Sequence, residues 1–323
     1  MKDRWNREIN YMRISVTDQC NLRCCYCMPE EGFPCIDQSE LLTFDEIESI
    51  VKAGVGIGIN TIKITGGEPL LRKNITKLIK NIKNIDGIKQ VTLTTNGVLL
   101  EQYADELKEA GIDSININVP TLTSEKYAAI TRRNQFVQII EGIRKARDIG
   151  IHLKLNCVSR NTMTDEELYG FAMLAKHYPI DIRFIEMMPL GFGKMYDTYS
   201  NEKILERLKN LLQNNVHLSN SSGNGPAIYY EFDNLKGKIG FVSAVSHKFC
   251  NECNRIRLSA DGDLKLCLNY DSGVSLKNVL RNGNPELLMN VMKQAIYEKP
   301  RAHCFYENEP EEVEMKNMVQ IGG

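Results

Sequence analysis

Six of the ten cysteines fall into two tight groups near opposite ends of the chain. Cys20, Cys24 and Cys27 give C-x3-C-x2-C, with Cys25 left over; Cys250 and Cys253 give C-x2-C, with Cys267 further on. Three closely spaced thiolates can clasp one face of a compact iron–sulfur cluster. Four irons need four ligands, so a trio leaves one iron open, which a catalytic site needs and a closed structural site does not. Zinc is the competing reading, because structural zinc takes four ligands, usually in pairs. No histidine lies near the first trio, whereas Cys304 or His247 could complete the second. Arg255 and Arg257 stand between the later cysteines at alternate positions of a strand-like run, so both project to one face. Two planar guanidiniums beside a metal site suit phosphate oxygens. Cys25, Cys35, Cys157 and Cys304 read as small apolar residues. The chain has no GxxxxGK[ST] loop, no GxGxxG and no Ser–His–Asp pattern.

The residues between the groups supply a frame. Strand-like runs at 13–17, 61–65, 91–95, 114–119, 152–158 and 180–186 alternate with amphipathic helical stretches. Thr43–Glu46 and Thr164–Glu167 are capping boxes. Gly111 and Gly150 stand where helices close. Six βα-type units predict an α/β fold with a parallel sheet curled into an incomplete (β/α)6 TIM-type barrel. In such folds the chemistry sits at the C-terminal ends of the strands. Cys20–Cys27, Gly66-Gly67-Glu68 and Asn96-Gly97 each follow a predicted strand. After residue 190 the pattern changes to a C-terminal α+β extension carrying the second trio. It has a helix near 201–212, a polar loop at 219–225, strands at 256–259 and 264–268 around a hairpin signal at 260–263, and a late helix at 285–296. The expected division is therefore 1–190 and 191–323. The acidic stretch 307–314 is left without assigned structure.

The 323 residues carry a formal net charge of −1, with 25% charged and 42% apolar side chains. That balance offers no general attraction to nucleic acid or to an anionic membrane. No run approaches the roughly 20 apolar residues of a membrane span, and the N-terminus lacks a signal-peptide core. The cytoplasm is the expected compartment, where cysteines stay reduced and grouped ones serve metals more often than disulfides.

Several segments together resemble the GTP 3′,8-cyclase family of radical S-adenosylmethionine enzymes. They are Tyr11–Gly32, Gly66-Gly-Glu-Pro69, Thr94-Thr-Asn-Gly97, Arg183-Phe-Ile-Glu186, the second cysteine group and the terminal Gly322-Gly323. The likeness spans nearly the whole chain. It implies two [4Fe-4S] clusters, one on Cys20, Cys24 and Cys27 and the other on Cys250, Cys253 and Cys267. By the same resemblance S-adenosylmethionine chelates the open iron of the first cluster, with Tyr26, Gly66, Gly67, Glu68, Asn118 and Met188 around it and Glu68 accepting from its ammonium. GTP binds at the second cluster and contacts Arg13, Lys63, Thr94, Lys154, Arg255 and Arg257. Catalytic roles fall to Arg13, Arg255, Arg257 and the Gly322-Gly323 tail. Asn118 and Pro120 stand where the family more often has Ser and Asp, and Lys63 where it has Arg.

The implied reaction is the radical conversion of GTP to (8S)-3′,8-cyclo-7,8-dihydroguanosine 5′-triphosphate, the first step of molybdenum cofactor (molybdopterin) biosynthesis. The implied partners are an electron donor such as flavodoxin or ferredoxin and a downstream cyclic pyranopterin monophosphate synthase, with no nucleic acid and no membrane. The sequence itself gives no oligomeric state; the resemblance allows a homodimer. Two other readings stand beside this one: a radical S-adenosylmethionine peptide maturase with an auxiliary cluster, and a zinc-stabilised binding module without catalysis.

Overall fold

In β1 (Tyr11–Ser15) Met12 and Ile14 are fully buried in the core, while Tyr11 and Arg13 between them face an internal cavity. The two-residue period of a strand produces this alternation, and it recurs across the parallel sheet. The computed structural model describes residues 1–213, 215–219, 225–283, 285–305, 314 and 316–322. Gly323, together with most of the polar stretches at 219–225 and 307–314, lies outside the described residues.

β1 is followed by α1 (Phe44–Val55), β2 (Thr61–Thr65), α2 (Ile75–Lys83), β3 (Gln90–Thr95), α3 (Leu100–Glu109) and β4 (Ser114–Asn118). Then come α4 (Ser124–Thr131), α5 (Phe136–Asp148), β5 (Leu153–Ser159), α6 (Asp165–His177) and β6 (Asp181–Glu186). The strands β1 to β6 pair in parallel and in sequential order, so the six predicted βα units are present. Both capping boxes form: Thr43 Oγ1 accepts from Glu46 N at 3.2 Å, and Thr164 Oγ1 accepts from Glu167 N at 3.3 Å. The apolar strand positions, among them Ile62, Ile64, Val91, Leu93, Ile115 and Leu155, are buried in one core with the inward faces of the helices. Each such side chain contributes about 1.5–3 kcal/mol on burial.

The second half comprises α7 (Asn201–Leu212), β7 (Val216–Leu218), β8 (Ile228–Phe232), β9 (Ile239–Val242), β10 (Arg255–Leu258), β11 (Asp263–Lys265), β12 (Gly273–Ser275), α8 (Leu276–Arg281) and α9 (Pro285–Tyr297). Among the described residues its strands form no sheet of their own. β10 joins β1 in parallel at one edge of the barrel sheet, and β9 joins β6 in parallel at the other. Antiparallel β11–β12 and β8–β7 complete an open sheet of 12 strands. The result is an incomplete parallel barrel whose C-terminal extension lengthens both of its edges.

One local expectation shifts. The strand expected at 264–268 stops at Lys265, where the pairing with β12 ends at Gly273. Beyond it the Leu266 carbonyl bonds to the Lys299 ammonium instead of a neighbouring strand. Cys267 therefore sits in irregular backbone. Strands β7 to β9 carry no clear signal in the sequence because they are short and border the polar loop; Ile228 and Leu218 even point apolar side chains outward.

Candidate active site

The first trio sits on the long connection after β1. The amides of Arg23 and Cys25 donate to Thr131 O and Ile130 O at 2.9 Å, which docks this loop on the end of α4. Cys25 is thus tied outward while Cys20, Cys24 and Cys27 face the cavity. Cys20 Sγ accepts from Leu22 N at 3.4 Å and from Asn96 Nδ2 at 3.7 Å. Burial pushes the Cys20 thiol up to about 12. Cys24 is raised too, by its hydrogen bond with Cys27 and by burial.

The Gly66-Gly67 turn lies against this loop so tightly that side chains cannot fit. A Cβ on Gly66 would meet Thr17 O at 2.6 Å, and one on Gly67 would meet Gln19 O at 2.2 Å. Both glycines line the cavity, as do Tyr26, Asn118 and Met188. Glu68 does not. It is fully buried, and its carboxylate accepts from Leu70 N at 3.0 Å, Thr95 Oγ1 at 2.7 Å and Asn96 N at 2.7 Å. Burial raises it to about 7, against these three donors. The structure places Glu68 as the brace joining the loops after β2 and β3, and not on the wall as the sequence led one to expect.

The second trio lies across the cavity. Cys250 opens a 3-10 turn at Cys250–Glu252, and Cys253 follows it. Arg7 fixes this turn: its Nη1 donates to Cys250 O at 2.8 Å and to Arg301 O at 2.9 Å, and its guanidinium pairs with Asp3 at 2.7 Å. Burial raises Cys267. It acts on Cys253 as well, but there the Lys299 ammonium and Arg255 outweigh it and pull the thiol down to about 6. One cavity of about 400 Å³ is lined by all six of these cysteines. Among the described residues, no three His, Cys, Asp or Glu side chains gather closely enough to hold a single metal ion. The six thiols are spread over cavity walls, with N–H donors aimed at Cys20 and a guanidinium within 3.8 Å of Cys253 Sγ. This donor chemistry, with the room between the walls, fits iron–sulfur clusters. The side-chain-free Gly66-Gly67 cradle beside the first trio fits a ligand that approaches the backbone closely.

Strand register builds the wall between the trios. Arg257, Arg13, Lys63 and Thr92 form one row on neighbouring strands. Thr94, Asn116 and Lys154 form a second row, and Asn118, Asn156 and Arg183 a third. All ten side chains line the cavity. The cations strain one another. Burial, then Arg183 and Arg13, hold Lys63 well below the usual lysine range. Burial, then Arg13 and Arg255, lower Arg257 to about 9. Lys154 is lowered by burial and by Arg183. So much buried positive charge favours an anionic ligand. Gly322 reaches the same place: its carbonyl accepts from Arg257 Nη1 at 3.1 Å and from Arg13 Nη2 at 3.3 Å. Its φ is +70°, and a Cβ there would meet Ser15 Cβ at 2.8 Å, so glycine is required.

Sequence reasoning did not assign Arg183 or Asn156 to the site, although Arg183 lies in one of the matched segments. Arg183 Nε donates to Asn156 Oδ1 at 2.9 Å. The available signal was alternation in β6, where Arg183 separates buried Ile182 and Phe184.

Comparison with known proteins gives the family. The Radical SAM superfamily matches residues 14–175, and Molybdenum Cofactor Synthesis C matches residues 180–305. The GTP 3′,8-cyclase of Alkaliphilus oremlandii is 45% identical over the full length of both chains, and that of Clostridium perfringens is 42% identical, again over both full lengths. The chain belongs to the GTP 3′,8-cyclase family. As a radical S-adenosylmethionine enzyme of this family it uses S-adenosylmethionine and [4Fe-4S] clusters, and its two cysteine trios match two clusters in number. Solved structures support the fold. Streptococcus suis SuiB bound to S-adenosylmethionine superposes with a TM-score of 0.64 at 14% identity, covering 87% of this chain and 65% of that one. SuiB bound to precursor peptide SuiA gives a TM-score of 0.68 at 13% identity, covering 98% and 71%. Family membership removes the zinc-module reading. No helix among the described residues is long and apolar enough to cross a membrane.

Proposed function

We propose that this chain is a lyase that cyclises GTP to (8S)-3′,8-cyclo-7,8-dihydroguanosine 5′-triphosphate, with Cys20, Cys24 and Cys27 holding one cluster and Cys250, Cys253 and Cys267 the other. The observation that carries this reading is the single cavity lined by both trios, with buried Lys63 and half-buried Arg13 and Arg257 in a row between them. When bound, a cluster held by Cys20, Cys24 and Cys27 together with S-adenosylmethionine would supply the radical chemistry that activates a substrate C–H bond.

The chain's own residues position the reactants. Gly66 and Gly67 let the backbone approach the methionine part of the cofactor, while Tyr26, Asn118 and Met188 enclose it; Glu68 keeps both loops in place from beneath. Arg13, Lys63, Lys154, Arg255 and Arg257 take the triphosphate, each charge-assisted bond contributing about 1.5–3 kcal/mol, and Thr94 adds a hydroxyl. Arg183 belongs with this set. Gly322 fixes the orientation of Arg13 and Arg257 through its carbonyl, and Gly323 continues the tail. The peptide-maturase alternative does not call for this cationic wall. In the cell the chain works in the cytoplasm, receives electrons from a donor such as flavodoxin or ferredoxin and passes its product to a cyclic pyranopterin monophosphate synthase.

Anaerobic incubation with reductant, S-adenosylmethionine and GTP, followed by mass analysis, tests the reading. The expected result is a nucleotide product isomeric with GTP, from protein holding about eight irons per chain. Iron at half that level, or 5′-deoxyadenosine without any change in GTP, would defeat it.

A further inference from the structure

The tail that brings Gly322 to the arginines is also fastened further back. The Glu314 carboxylate is bonded to Lys265 Nζ at the end of β11, and the two side chains are 1% and 3% exposed. Asp271 shares that ammonium at 2.8 Å but is 60% exposed. Among the described residues, ion pairs with both side chains this deeply buried are those of Lys265 with Glu314 and Arg7 with Asp3. The Glu314 amide donates to Asn269 O at 2.9 Å, and its Oε1 accepts from Lys316 N at 2.8 Å.

The chain then turns toward the cavity. Asn317 N donates to Gln320 Oε1 at 2.9 Å, Gln320 N donates back to Asn317 O at 2.9 Å, and Phe192 N donates to Asn317 Oδ1 at 3.2 Å. Val319 and Ile321 are buried, and Gly322 follows. A tail tied only near residue 305 would have a long free run to search, whereas one fixed at 314 has a short one. A buried ion pair adds little net stability, yet it selects one register, since a slip takes the Glu314 carboxylate from its ammonium and leaves Lys265 only the exposed Asp271.

We propose that the Lys265–Glu314 pair is a latch: two positioning residues that set the register of the C-terminal tail so that the Gly322 carbonyl meets Arg13 and Arg257. The proposal rests on the role given to the tail above.

The test compares three full-length, cluster-reconstituted variants: Glu314→Gln, Asp271→Asn and deletion of residues 322–323. Glu314→Gln keeps the side-chain volume, and Asp271 remains as a partner for Lys265, so the fold survives. It should lower kcat for the nucleotide product roughly tenfold or more. Its iron content and its cleavage of S-adenosylmethionine without GTP should stay unchanged, and trypsin should cut after Lys316 faster than in the parent chain. Asp271→Asn removes the exposed partner of the same lysine and should change neither kcat nor tryptic cutting. Parental kcat and tail protection in Glu314→Gln would overturn the latch, as would an equal loss in Asp271→Asn, which would show that Lys265 needs any counter-charge. If the deletion variant turned over fully, the catalytic role of the tail itself would fall, and the latch's role in turnover with it; which variant is active tells the two failures apart.

Discussion

At Cys20 burial raises the thiol, helped by Cys24 and Glu68 and opposed by the Leu22 and Asn96 donors; at Cys24 the hydrogen bond with Cys27 and burial raise it. Around Cys250, Cys253 and Cys267 the nearby groups include the Lys299 ammonium and Arg255, and Cys253 is pulled down to about 6. Both trios face one shared cavity, but Lys299 and Arg255 lower Cys253 of the second, whereas burial keeps Cys20 and Cys24 of the first raised. Like charge makes an anionic centre harder to reduce, and nearby cations hold anions. The cations beside Cys253 suit an anionic ligand at the second end. Ligand count alone says nothing of this difference; the neighbouring charges, Arg255 beside Cys253 in sequence and Lys299 after α9, create it.

The sharpest way to break the comparison is to remove one ligand from each end. Cys24→Ser should abolish all cleavage of S-adenosylmethionine, whereas Cys253→Ser should keep uncoupled cleavage and lose the nucleotide product. Loss of both activities in Cys253→Ser, measured as 5′-deoxyadenosine, would erase the division. Next in size, Arg257→Ala should weaken GTP binding roughly ten- to a hundredfold through a lost charge-assisted bond, with cleavage of S-adenosylmethionine retained. Equilibrium dialysis reads the first quantity, and an unchanged affinity would remove Arg257 from the phosphate set.

A third comparison uses cluster-free protein. A thiol lowered to about 6 is mostly thiolate at neutral pH, and one raised to about 12 is not, so iodoacetamide at pH 7 should label Cys253 well before Cys20. Peptide mass mapping checks the order, and the reverse order would contradict the charge difference. The smallest effect concerns Lys63, held low by burial and by Arg183 and Arg13. An anion beside it favours the charged form and raises its affinity for a proton, so GTP binding should take up protons. Affinity should then strengthen as pH falls, by at most about tenfold per pH unit for one proton. Calorimetry in buffers of different ionisation enthalpy measures the uptake; none would mean that Lys63 is charged before GTP arrives.

The sequence by itself determined the cysteine spacing and the frame. C-x3-C-x2-C is local spacing within one loop, the capping boxes at Thr43 and Thr164 are contacts three residues apart, and alternation in β1 to β6 follows from the geometry of a single strand. Such features are legible because their partners are close along the chain. Tertiary structure decided what those parts face. That Arg257 stands beside Arg13, and Arg13 beside Lys63, is a matter of register between strands far apart in sequence. That Glu68 braces two loops from below, that Arg183 completes the third polar row, and that Glu314 reaches Lys265 likewise depend on chain crossings that no local pattern encodes. Charge in a buried site acts through space, so its sum is fixed only when the sheet brings its strands together.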